Sequence, residues 1–179
     1  MLPLDSPRWT QLEAGPGGDG SEAVALLASV RDDDPSALPE LLHQACHQFT
    51  VGEVAYAVMP HVVALAAGLG LEPRIEALTI AGHVAAAAGV DPENTPLVPE
   101  DLAADYQACT APVLELACRT LQAESLAPGQ VTDLLGVLAA MTGRHNLAMH
   151  LLLHGGSDDE LSCPECGEYI AWSSMPEVG

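Results

Sequence analysis

Leu38-Pro-Glu-Leu-Leu-His43-Gln-Ala-Cys-His47-Gln-Phe-Thr50-Val-Gly-Glu-Val-Ala-Tyr-Ala-Val-Met-Pro60-His-Val-Val-Ala-Leu-Ala-Ala67 carries two helical periods in succession. Leu38, Leu41, Leu42, Ala45 and Phe49 recur at steps of three and four. Val51, Val54, Ala55, Val58, Val62, Leu65, Ala66 and Leu69 then do the same. Such spacing places apolar side chains on one face of a helix of about 3.6 residues per turn. The joint falls at Phe49–Gly52, where Thr50 and Glu53 have the spacing of a capping box for the second helix. A short joint between two amphipathic helices makes an antiparallel pair whose apolar stripes must press against further helices.

The rest of the chain repeats the theme. The spacing predicts helices from Ser21 to about Val30, from Glu72 to about Gly89, from Pro99 through Leu121, over Gln130–Met141 and over Asn146–His154. Pro60 is expected to kink or break its helix, and Pro112 to bend the long helix that starts at Pro99. With the quoted pair this makes about seven helices, an all-α stack of helical hairpins. Residues 1–20 read as an irregular lead-in tethered by Trp9. Residues 21–154 form the helical-repeat domain, and residues 155–179 form a tail in which Leu161–Trp172 suits a tight turn or short hairpin.

Composition agrees. Apolar residues make up 49% of the 179 but aromatic residues only 3%, so Leu, Val and Ala must build the core. Alanine runs such as Ala85–Ala88 have the highest helix propensity. Met1-Leu-Pro-Leu-Asp5 has no basic flank and no long apolar core, so no signal segment is read there. The apolar run Val54–Leu71 holds Pro60 and His61 and fits a core helix rather than a membrane span. Five cysteines without a leader point to a cytoplasmic chain with reduced thiols.

Charge is the strongest functional signal. Twenty-five acids stand against five arginines and no lysine, a formal charge of -20. That surface repels nucleic acid and anionic lipid and suits a basic protein partner; acidity that serves solubility alone gives the same count. The acids cluster at Asp32, Asp33 and Asp34, at Glu100, Asp101 and Asp105, and at Asp158, Asp159 and Glu160. Each cluster is a solvated turn or helix start when taken singly, and together they are the candidate partner-binding residues.

Cys163-Pro-Glu-Cys166-Gly has the spacing of half a zinc site, and His150 and His154, one helical turn apart, are candidates to complete it. A thiol pair without metal fits the same residues, and Cys109 and Cys118 could join only by folding back. His43 and His47 form another one-turn pair, read as two polar side chains on a helix edge rather than as a metal or catalytic pair, and the His47-Gln48 corner is read as tying the helix joint by hydrogen bonds. His61, His83 and His145 stand alone. The sequence lacks a nucleophile elbow, a phosphate-cradling glycine loop and a His-Glu-x-x-His helix, so it is not read as an enzyme.

Trp9-Thr-Gln-Leu12, Ala14-Gly15, Leu26-Leu27, Cys46-His47-Gln48-Phe49-Thr50 and Ala57-Val58-Met59-Pro60-His61-Val62-Val63, with the Cys163-Pro-Glu-Cys166-Gly167 ending, resemble a bacterial HEAT-like-repeat family. Its pattern runs Trp-x-x-Leu, a His-Gln-Gly-Thr corner and a helix ending near Ala-Val-Pro-Phe-Leu. Here Phe49 replaces the glycine and Met59 precedes Pro60. The likeness covers about residues 7–67 and the tail. It implies HEAT-like repeats and a place beside polymorphic toxin genes, where members act as immunity proteins; joined to the acidic surface, this gives the expectation of a HEAT-like solenoid that occludes the active site of a cognate, basic toxin. The alternatives are a helical-repeat scaffold without a toxin partner and a metal or thiol enzyme using Cys163 and Cys166.

Overall fold

The computed structural model describes residues 1–15, 17–47, 50–90, 95–123, 125–154, 161–162 and 169–170. Helices dominate: α1 (Ser21–Arg31), α2 (Leu38–Ala45), α3 (Glu53–Ala66), α4 (Leu71–Val90), α5 (Glu100–Gln107), α6 (Thr110–Ala123), α7 (Pro128–Met141) and α8 (His145–His154). Short 3₁₀ turns cover Pro7–Gln11 and Pro35–Ala37. Two-residue strands β1 (Cys46–His47) and β2 (Thr50–Val51) pair antiparallel at the joint between α2 and α3, with Cys46 opposite Val51. In the tail, β3 (Leu161–Ser162) pairs antiparallel with β4 (Tyr169–Ile170). Among the described residues no helix is long and apolar enough to cross a membrane.

Helix α4 is the axis of the packing, touching α2, α3, α6, α7 and α8. It buries residues around most of its circumference, including Ile75, Ala77, Leu78, Ile80, Ala81, Val84 and Ala87. A helix buried around most of its circumference belongs inside a core. The neighbouring α7 and α8 lie close because Gly136 has no side chain. A Cβ there would stand 2.8 Å from the Leu152 side chain.

The quoted pair forms, with a different joint. Helix α2 stops at Ala45, and the chain reverses through β1 and β2 before Gly52, the residue preceding α3. Thr50 therefore lies in β2 and does not cap α3. The lead-in supplies the cap instead: the Glu13 carbonyl accepts from Val54 N–H at 3.0 Å, and a Glu53 carboxylate oxygen accepts from Glu13 N–H at 3.4 Å. Glu53 plays the reaching role of a capping box, but across the tertiary structure.

That exchange explains why residues 1–15 are not merely irregular. Trp9 and Leu12 are fully buried, and the Trp9 indole N–H donates to the Pro3 carbonyl at 2.9 Å. Gly15 N–H donates to the Gln44 carbonyl at 2.9 Å. The backbones approach so closely that a Cβ on Gly52 would lie 2.5 Å from the Glu13 oxygen. Glu13, Ala14 and Gly15 of the lead-in thus close as a clip over the α2–α3 joint at Gln44, Gly52, Glu53 and Val54.

Two proline expectations change. Helix α3 runs unbroken through Pro60, at the cost of the bond that residue 60 would make to the Tyr56 carbonyl. The long helix expected from Pro99 is two helices, α5 and α6, parted at Ala108 and Cys109. Pro112 then sits in the first turn of α6, where its missing N–H removes no helical bond.

Candidate functional site: an acid-walled groove

Among the described acids singled out in the sequence, Asp32, Asp34, Asp101 and Asp105 have partners within the chain. Asp32 pairs with Arg31 at 3.6 Å. Asp33 takes a left-handed backbone, φ 75°, which Asp tolerates better than most residues. Asp34 Oδ1 accepts from the Ser36 backbone N–H at 3.2 Å and its hydroxyl at 2.6 Å. Glu100 and Asp101 open α5, where the helix dipole favours negative charge. Asp101 Oδ2 meets Arg8 Nε at 3.0 Å; that hydrogen bond holds the carboxyl below its usual range and raises the guanidinium. Asp105 contacts the amino group of Met1. These two clusters therefore fasten turns and the lead-in, while their exposed edges stay available to a partner.

A different set of acids shares a concave wall. Leu38, Pro39 and Leu42 of α2, Glu72, Ile75, Glu76 and Thr79 of α4, and Gln130 and Asp133 of α7 enclose a groove of about 450 Å³. Leu38 and Ile75 give it a buried apolar floor. Its lining residues include Glu72, Glu76 and Asp133 and no lysine or arginine. Burial pushes the Glu76 carboxyl up. Burial also raises Asp133, against the opposing effect of nearby His83. His83 is itself held below its ordinary value, chiefly by burial. Its Nδ1 lies 2.9 Å from the Thr79 carbonyl; since a carbonyl only accepts, Nδ1 carries the hydrogen.

This arrangement has a chemical preference. Carboxylates beside an apolar floor lose hydration when ionised, and an entering cation restores what burial removed. The floor meanwhile accepts a methylene stem. A lysine or arginine side chain presents both parts, an aliphatic stem and a charged end.

The three groove acids were not among the sequence candidates. One local signal was present: Glu72 and Glu76 stand four apart on α4, a like-charge spacing that weakens an isolated helix. Asp133 gave no such sign, because its meeting with α4 is purely tertiary.

Cysteine and histidine candidates divide. Asp158, Asp159, Glu160, Cys163 and Cys166 lie outside the described residues, as does the side chain of His154. His150 is half-buried on α8. Cys109 is buried and pushed up to about 11, mainly by burial, so its thiol stays protonated and donates to the Asp105 carbonyl at 3.3 Å. Cys118 is exposed on α6. His61 Nε2 lies 2.8 Å from the Leu2 carbonyl, another tie on the lead-in. His43 and His47 do meet: their Nδ1 atoms are 3.1 Å apart.

Comparison of the chain with protein-family models, with curated proteins and with solved structures finds no match.

Proposed function

We propose that this chain is an immunity protein: a HEAT-like helical-hairpin protein of the bacterial cytoplasm that binds and neutralises a cognate basic toxin. The observation that carries this reading is the groove between α2, α4 and α7, apolar below and lined by Glu72, Glu76 and Asp133, on a chain of formal charge -20. A toxin that acts on nucleic acid grips phosphate with Lys and Arg. Those side chains also fit an acid-walled groove, so the inhibitor occupies the toxin in place of its substrate. The resemblance of residues 7–67 and of the tail to toxin-associated repeat proteins supports the same reading.

Inhibition in this scheme is steric and electrostatic and involves no reaction. Long-range attraction speeds encounter, and the partly desolvated groove contacts slow release. Co-expression of the chain with the toxin domain encoded in its locus tests the proposal. Restored growth together with a co-purifying complex is the expected result; unrelieved toxicity without a complex overturns it. A helical-repeat scaffold would instead bind a partner whose activity is unharmed.

A further inference from the structure

We propose that His43 and His47 form a binding site for a divalent transition-metal ion of the copper–nickel class, separate from the acid-walled groove. His43 stands in the last turn of α2 and His47 in β1, so the chain reversal after Ala45 brings the two rings together. Their centroids are 4.4 Å apart, with the planes at 83°. The two Nδ1 atoms converge to 3.1 Å. Without metal, one imidazole N–H donates to the lone pair of the other, and the pair holds a single bridging hydrogen.

The same convergence suits an ion in place of that hydrogen. Two nitrogens 3.1 Å apart that each bind at about 2.0–2.1 Å subtend roughly 95–102° at the metal. That lies between the cis angle of tetragonal Cu(II) and Ni(II) sites and the tetrahedral angle of structural zinc, so it admits either geometry, and the affinity order of divalent ions for nitrogen ligands puts Cu(II) first. Both rings are half-buried, so an ion can enter. Among the described residues the site supplies two protein ligands, His43 and His47, leaving the other positions to water. The anionic surface raises the local cation concentration. On binding, the ring that carried the bridging hydrogen takes its other tautomer, with the hydrogen on Nε2, so both rings ligate as neutral imidazoles through Nδ1.

The test uses Ni(II) alone as probe on the full chain carrying Cys163→Ser and Cys166→Ser, which silences the tail thiols. Titration calorimetry should show a Ni(II) site that either His43→Gln or His47→Gln weakens by at least about tenfold, a loss that even an outer-shell partner can cause. In the histidine-intact chain, substoichiometric Ni(II) should broaden the ring signals of His43 and His47 before those of other histidines. This readout needs no histidine variant, so it decides the matter even if a substitution unfolds the protein. Unchanged Ni(II) affinity in both variants, or broadening that spares these two rings, overturns the site.

Discussion

Two sets of acids on the same molecule are put to different uses. Asp34, Asp101 and Asp105 lie on the surface and satisfy a turn, an arginine and an amino group. Glu76 and Asp133 line a groove, where burial has raised both carboxyls. An exposed acid loses little when it ionises and contributes little when it pairs. A partly buried acid beside apolar side chains is costly to keep ionised, and the arrival of a cation relieves that cost. On the proposed reading, surface charge would attract a basic partner from a distance, while the groove acids would set how long it stays.

The sharpest way to break this distinction is to neutralise the groove. Glu76→Gln with Asp133→Asn should weaken toxin binding by at least about tenfold, mainly through faster dissociation, because the acids lie in a partly buried groove. Surface-plasmon kinetics would show it. A loss confined to the association rate would place the groove acids with the surface set.

Next in size is a change that separates folding from binding. Gly52→Ala inserts a Cβ 2.5 Å from the Glu13 oxygen and 2.6 Å from Gly15 N. The backbone must shift, so the variant should lose about 1–3 kcal/mol of stability, the usual cost of overpacking. Denaturant melts should reveal this, whereas affinity per folded molecule should hold, because the clip does not line the groove.

Replacing Asp32, Asp33 and Asp34 by Asn keeps the side-chain oxygen that accepts from Ser36. The triple variant should fold as before and associate more slowly at low salt, with the difference fading at high salt. A rate that does not change at low salt would remove that cluster from partner attraction. Smaller still, Arg8→Ala should cost no more than about 1 kcal/mol, since surface ion pairs rarely contribute more.

The groove also leaves a mark on pH dependence. A carboxyl raised in the folded state binds its proton more tightly there than in the unfolded chain. Its contribution therefore favours folding at low pH, and is lost as pH rises from the ordinary carboxylate range through the folded value. Asp133→Asn should remove part of that decline and leave the variant at least as stable as the parent at neutral pH. Thermal melts across pH would test it; a steeper decline in the variant would contradict the burial of Asp133.

Much of the helical framework was legible because it is periodic. Leu38, Leu41 and Ala45 mark α2, and Val54, Ala55, Val58 and Val62 mark α3, since the spacing of apolar residues along the chain is also their spacing on a helix. The α2–α3 joint was only half legible. Glu53 was recognisable as a capping residue, but its partner is Glu13, 40 residues away, rather than the adjacent Thr50. The break between α5 and α6 was misplaced because Pro112 looks like an interruption when it stands in a helix's first turn. The groove was the least legible feature. Its acids come from α4 and α7 and its floor partly from α2, and nothing local records that these surfaces meet. Runs of acids catch the eye in a sequence, whereas Glu76 and Asp133 stand singly among apolar neighbours.

The proposed inhibition requires that the groove be the place where a basic side chain of the toxin is held. Isothermal titration of the full chain with the toxin domain encoded in its locus, using the parent and the Glu76→Gln/Asp133→Asn variant, tests this most directly. The prediction is a one-to-one complex in the parent and affinity at least about tenfold weaker in the folded variant, a difference of 1.4 kcal/mol or more. Equal affinity in the two proteins would contradict it.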